Sequence, residues 1–442
     1  MNTEVIKNAV AEAAERFGAE HYEINIVTEE SASAEALNKE VSTVSYSRSS
    51  RMQLRCVVDG KSGYAMSELV TPEAAFQAVE AACGNALCVD DPDEMPLFGG
   101  SASYQQISDP IPELPSAEEL KAMALELQEL TYAASDKIVD GSQSQVSGVR
   151  ESHVMINSEG LDLSHTFGMV YRVAMAAVKD SREGAEDSAD EYVIANVEKE
   201  TAAESVNKAV TGALNNLWGE PVPSGKYNVI MDAPTVSSLL RVYSVVFSAR
   251  NAYLGTTLLA GKEGQKIASE TFTLMDDPFH PEKTDHRPFD GEGVAAYAKT
   301  VVDKGVLNTL LYNRMYAKLL GRQTTGNARD AKNIAPTGLY LAPGAYSEEA
   351  LLERLGNGLY ITSLQGLHAG ANTQSGDFSL QATGFVVENG KKTRPVKNIT
   401  LADNFYQLMC KVDALSDKVK FSVASPVGAP EVLFTDISVS GK

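Results

Sequence analysis

The sequence predicts an α+β protein: residues 1–217 form helices packed on an antiparallel sheet, and residues 218–442 form a mainly antiparallel β domain. Three observations carry this reading. Helical periodicities and alternating strand patterns interleave through the first half. After about residue 252 the pattern is short strands and turns. Between the halves, "WGEPVPSGKY" at 218–227 sets two prolines and two glycines between a helix and the strand "YNVIMDA". A chain of 442 residues also exceeds what one core usually serves.

In chain order, Val5, Ile6, Ala9, Val10, Ala13, Ala14 and Phe17 share one helical face, and Gly18 follows as a stop. "HYEINIV" alternates as a strand. "RMQLRCVVDGKSGYAMSEL" reads as a hairpin turning at Asp59-Gly60. Thr71 with Pro72 opens a helix, and Ser116 with Glu119 is a capping-box pair opening another to about Ala134. Residues 89–115, with Pro92, Pro96, Pro110, Pro112 and Pro115, read as a long exposed excursion. Two strands follow on either side of "SEG". "SREGAEDSADEY" reads as an acidic loop, 198–217 as a helix, and about 234–252 as one further helix.

Composition narrows the function. A formal charge of −21 with no Lys/Arg cluster argues against nucleic acid and against an anionic membrane surface. No apolar run approaches a membrane span, and the start of the chain lacks a signal-peptide pattern. Cys56, Cys83, Cys88 and Cys410 form no C-x-x-C pair, which suits reduced thiols. A cytoplasmic protein is expected.

The histidines offer no H-E-x-x-H. "DDPFHPEKTDHRPFDGEG" gathers His280, His286, Asp276, Asp277, Asp285 and Asp290. It has the composition to bind a cation, but its prolines and glycines favour a solvated, turn-rich loop over 276–290. No G-x-S-x-G is present. Near the C-terminus "GLHAGANTQSGDFS" concentrates Gly366, His368, Gly370, Asn372, Ser375, Gly376, Asp377 and Ser379. Glycines permit positive φ and close backbone approach, so the same residues suit a tight turn or a backbone that lines a peptide cleft.

Several runs carry a resemblance: "GQKIAS", "PFDGEGVAAYAKTVVDKGVLNTLLYNRMYAKLLG", "TTGNAR", "APTGLYLAPG" and "GLYITSLQGLHAGANTQSGDFSLQATGFVVENGKKTRPVKNITLADN". In this order they resemble the TldD/PmbA family, and within it the PmbA (TldE) branch, across 219–442. A weaker likeness reaches into "DGKSGYAMSELVTPEAAFQAVEAA" and "INSEGL". The resemblance implies a cytoplasmic subunit of a heterodimeric TldD–TldE peptidase acting on unfolded or small peptides, from a family once described as modulators of DNA gyrase.

It also implies zinc in the TldD-like partner, held by H-E-x-x-x-H and a later cysteine, and no cofactor in this chain. The corresponding positions here are Arg241, Val242 and Val246, which cannot ligate zinc. By the same resemblance, the eight residues from Gly366 to Ser379 line or shape the peptide cleft, with His368 as either a hydrogen-bonding group or a buried structural histidine. No catalytic or metal-ligating residue is expected. The alternative is a stand-alone peptide-binding or scaffold protein, as a homodimer and without peptidase activity.

Overall fold

The computed structural model describes residues 3–90, 95–423 and 425–442. Pro92 lies outside the described residues. Helix α1 (Thr3–Phe17) buries Ile6, Val10, Ala13 and Ala14 of the face its periodicity marks, but leaves Val5 exposed. Strands β1 (His21–Leu37) and β2 (Glu40–Val58) form a long hairpin, and β3 (Lys61–Ser67) returns from the turn at Asp59-Gly60. Helix α2 (Pro72–Leu87) starts where Thr71 accepts a hydrogen bond from the Ala74 N–H. Helix α3 (Ala117–Ala134) carries the complete Ser116/Glu119 capping box. Strands β4 (Gln143–Asn157), β5 (Asp162–Arg182) and β6 (Ala185–Asn196) follow, then α4 (Ala202–Asn215).

These strands make one antiparallel sheet in the order β3-β2-β1-β4-β5-β6. Side chains two apart share a face. Ile24 and Ile26 of β1 therefore meet α1 and α2, and further along the same face Ala32, Ala34 and Ala36 meet α3 and α4. The segment "SREGAEDSADEY" is not a loop: β5 and β6 pair through it. Its polar residues misled because an edge strand needs few apolar side chains.

The 95–115 excursion has no helix or strand, yet it is a strap rather than a free loop. Tyr104 donates to the Gly293 carbonyl at 2.8 Å, Ser101 Oγ accepts from the Ala295 N–H at 3.0 Å, and Asp109 Oδ2 lies 2.6 Å from His286 Nδ1.

The remaining strands form two six-stranded sheets drawn from residues 225–440. In one, β7 (Gly225–Met231) lies between Gly358–Gln365 and Val432–Ser440. Residues 400–402 also pair with 438–440, which folds this sheet round on itself. Helix α5 (Ala233–Tyr243) starts at the N-cap Asp232 and buries Leu239, Leu240 and Tyr243 in the shared core. The single helix expected over 234–252 is broken: a 3₁₀ turn spans Ser244–Phe247 and a short helix Ala249–Tyr253. Ser244 Oγ donates to the Arg241 carbonyl at 2.8 Å, a local bond that competes with the helical ladder. A helix at Glu348–Leu355, capped by Ser347, stands where turns and strands were expected.

Candidate functional site

The segment 276–290 departs from the solvated, turn-rich loop its composition suggests. It is not solvated at its ends. Asp276 is fully buried and accepts from Lys299 Nζ (3.1 Å), Asn327 Nδ2 (2.7 Å), Thr337 Oγ1 (3.0 Å) and the N–H groups of Thr337 and Gly338 (2.9 and 2.7 Å). Burial pushes its pKa up, but Lys299 and these donors outweigh that, so the carboxyl sits below its ordinary value. Asp290, also buried, accepts only backbone N–H groups from Glu292, Val294 and Ala328, and burial lifts it to about 6. Direct contact makes the difference: Lys299 bonds to Asp276, whereas at Asp290 its charge only partly offsets burial. Among the described residues no group of three or more His, Cys, Asp and Glu is placed to hold a metal ion.

The glycine-rich stretch is different. Gly358–Gln365 ends in a short helical turn, Leu367–Gly370, and the chain re-enters the sheet as the strand Asp377–Glu388. An open hollow of about 650 Å³ lies along this re-entry. Of the eight residues picked from sequence, Gly370, Asn372, Asp377 and Ser379 line it; Gly366, His368, Ser375 and Gly376 do not. Sequence reasoning missed the lining residues Ala369, Ala371, Thr373, Gln374 and Phe378. Four of these are small or uncharged polar residues, whose types carry no chemical signal, and Phe378 reads as core.

Each non-lining residue has a visible place. Gly366 starts the turn at φ +82°. Gly376 has φ +88°, and a Cβ there would lie 2.5 Å from the Tyr406 ring, so only glycine fits. A larger side chain at 376 would collide with Tyr406 rather than enter the hollow. Ser375 Oγ accepts from the Asp377 N–H at 3.2 Å. His368 is exposed, not a buried structural histidine.

The loop is held from below. Asn372 Oδ1 accepts from the N–H groups of Gln374 and Ser375 at 2.9 and 3.1 Å, so the Asx turn belongs to Asn372. Asn404 Nδ2 donates to the Ser375 carbonyl and to Asp377 Oδ1, both at 2.8 Å, while its Oδ1 caps the helix Phe405–Leu408. Tyr243, at the end of α5, donates to the Asp377 carbonyl at 2.9 Å and stacks on Phe405 at 4.4 Å. Burial pushes the Tyr243 phenol up to about 12, so it remains a donor at neutral pH. The bonds from Asn404 and Ser375 hold Asp377 below its ordinary value, leaving an exposed carboxylate at the rim.

Chemically this is an open surface of backbone, amide and carboxylate groups. Among the described residues no serine–histidine hydrogen bond forms here: Ser375 is committed to the turn and His368 does not line the hollow. Zinc does not fit α5 either. Arg241, near the end of α5, is exposed and a guanidinium offers no acceptor lone pair, while Val246, in the 3₁₀ turn that follows, is buried in the apolar core.

Comparison with known proteins places this architecture. Family models described as PmbA/TldA metallopeptidase domain 1, central domain and C-terminal domain match residues 22–86, 110–217 and 224–441. A Methanothermobacter thermautotrophicus protein named Metalloprotease is 28% identical over 76% of each chain. Haemophilus influenzae has two similar proteins. Its Metalloprotease PmbA homolog is 23% identical over 95% of this chain and 92% of its own. Its Metalloprotease TldD homolog is 24% identical over 88% and 86%. Among solved structures, a Thermotoga maritima protein described as a candidate modulator of a DNA gyrase superposes with a TM-score of 0.90, 28% identical, covering 99% of this chain and 100% of that one. TldE from Thermococcus kodakarensis shares the fold with a TM-score of 0.85, 23% identical, covering 99% and 100%. The chain belongs to the PmbA/TldD family of metallopeptidase-related proteins.

Proposed function

We propose that this chain is the non-metal, TldE/PmbA-like subunit of a two-subunit peptidase that acts on unfolded or small peptides. A TldD-like partner carries the zinc, and this chain shapes the path by which the peptide reaches it. One observation carries the reading: a metallopeptidase family matches along most of the chain, while the helix that would bear the zinc ligands offers Arg241, Val242 and Val246. The presence of a PmbA homolog and a TldD homolog in one organism supports a division of labour.

In this reading the hollow beside residues 369–379 takes an extended stretch of peptide. Asn372 and Asn404 fix the loop's shape, Tyr243 props it from the core, and Asp377 presents a carboxylate at the rim. When bound by the partner, zinc supplies the activated water and polarises the scissile carbonyl. This chain's residues bind and orient.

The test is reconstitution. The purified chain is mixed with a TldD-like relative, and cleavage of an unfolded peptide is followed with metal analysis of each component. The expected result is little cleavage and no stoichiometric zinc in this chain alone, with faster cleavage in the mixture than with the partner alone. Equal rates with and without this chain would sink the proposal and leave a stand-alone binding protein.

A further inference from the structure

Two acidic side chains meet where strand β7 runs into helix α5. Met231 pairs with Val432 in an antiparallel register, so the next position along sets Asp232 opposite Glu431. Side chains two apart share a face. Ile230 and Leu433 stand with Tyr360 in one small apolar cluster. Asp232 and Glu431 therefore project from that same face. Tyr360 Oη donates to Glu431 Oε1 at 3.1 Å, as this placement requires. Directly opposite positions bring Cβ atoms within about 5.5 Å of one another.

The polar atoms of this corner are not all used. Asp232 Oδ1 accepts from the Thr235 N–H at 2.9 Å as the helix cap. Glu431 is 5% exposed, and its Oε2 is buried without a hydrogen-bond partner. Thr235 is 4% exposed, and its hydroxyl is turned to the Asp232 carboxyl without bonding to it. Among the described residues neither carboxyl has an ion pair. Lys420 acts on both, but it is exposed and bonded to neither. Asp276, by contrast, is buried with Lys299 against it. Buried carboxylates are ordinarily paired with a cation or bound to a metal.

We propose that Asp232 and Glu431 hold a divalent cation, magnesium or calcium, with the Thr235 hydroxyl as a third ligand and water completing the shell. The donor set selects that class. Two carboxylates and a hydroxyl are hard oxygen donors, and neither thiolate nor imidazole joins them, which suits magnesium or calcium rather than zinc. Two negative charges match one divalent ion. Asp232 is only partly buried, so the corner opens to water on its side. The ion would tie the start of α5 to the head of the strand Val432–Ser440. The proposal is independent of the peptidase reading, since it concerns the isolated chain and no zinc enters it.

Titration of the full chain tests it. The protein is stripped with a chelator, which is then removed, and is titrated with magnesium chloride and separately with calcium chloride by calorimetry and thermal melts. The expected result is one ion bound per chain and a melting temperature that climbs with the logarithm of ion concentration. The tighter of the two identifies the ion. Asp232→Asn keeps a helix cap and Glu431→Gln keeps an acceptor for Tyr360, but each removes one ligand charge. Each should weaken binding about tenfold or more. Glu129→Gln, an exposed acid on α3, should bind as the native chain does. If Glu431→Gln does not fold, Asp232→Asn decides. A native chain that binds neither ion overturns the proposal. So does binding that Asp232→Asn leaves unchanged. So does a melting shift that potassium chloride of equal ionic strength reproduces, because that is screening of a chain with formal charge −21.

Discussion

Two polar loops, 276–290 and 366–379, come to opposite ends. Both are rich in turn-forming and polar residues, and both read from sequence as places where chemistry could happen. The first is drawn inward. Asp276 loses all contact with water and is matched by Lys299, Asn327, Thr337 and Gly338. The second stays at the surface and bonds mainly to itself and to Asn404 and Tyr243, leaving an open hollow at its side. What separates them lies far away in sequence: Lys299 and Asn327 come from other segments of the chain. A buried carboxylate needs a cation and donors, and where they converge a polar loop becomes part of the core.

The sharpest way to break this contrast is Asp276→Ala. It leaves the Lys299 ammonium buried without its carboxylate and strands the donors of Asn327, Thr337 and Gly338. Removing one partner of a buried ion pair typically costs about 3–5 kcal/mol. Denaturant unfolding should show a loss of that order. A loss under about 0.5 kcal/mol, ordinary for a surface site, would mean that the network contributes nothing net.

A smaller effect should separate the loop's two buried acids. Asp290 has no lysine bonded to it, and burial raises its pKa from 3.8 to about 6. The folded state therefore holds this proton more tightly than the unfolded chain. The associated stability is present in full below about pH 4 and is lost as pH rises through 6. Asp290→Asn cannot ionise, though it forfeits one acceptor. Its deficit relative to the native protein should narrow by on the order of 1 kcal/mol between pH 5 and 7.5. Melts of both proteins across that range check this. A deficit that widens with pH reverses the sign and contradicts the burial argument. Asp276, held below its ordinary value, should show the opposite trend at lower pH.

The same contrast explains what could be read in advance. Regular local signals carried over well. The Thr71 cap and the Ser116/Glu119 box each depend on residues within one turn and stand where their patterns put them, and the α1 face follows its periodicity except at the exposed Val5. The break after Tyr243 was hidden because "SLLRVYSVVFSAR" keeps an apolar periodicity through a 3₁₀ turn. Strand β6 was hidden because a solvated edge looks like a loop. In the glycine-rich stretch the turn chemistry was legible at Gly376, but the Asx turn suggested by Asp377 belongs to Asn372. The props were not legible. Tyr243, Asn404 and Tyr406 reach the loop from 27 or more residues away in the chain, and nothing local marks an asparagine as a clamp.

The smallest expected effect on stability is also the one that bears on function. Ser379 is exposed and lines the hollow, while its neighbours Phe378 and Leu380 point into the core. Ser379→Trp keeps strand alternation and puts an aromatic residue, which strands accept readily, on the solvent side. Its stability should stay within about 0.5 kcal/mol of the native protein, as surface substitutions usually do. The indole would nevertheless occupy the hollow that the peptide is proposed to use. In the reconstituted pair KM should rise several-fold for an unfolded peptide with kcat little changed, because the loss is of binding common to ground and transition states. Ser379→Ala, which leaves the hollow open, should behave as the native protein. A tryptophan variant that folds, binds its partner and cleaves at the native rate would show the hollow to be a spectator. The peptide path would then have to run elsewhere on the chain.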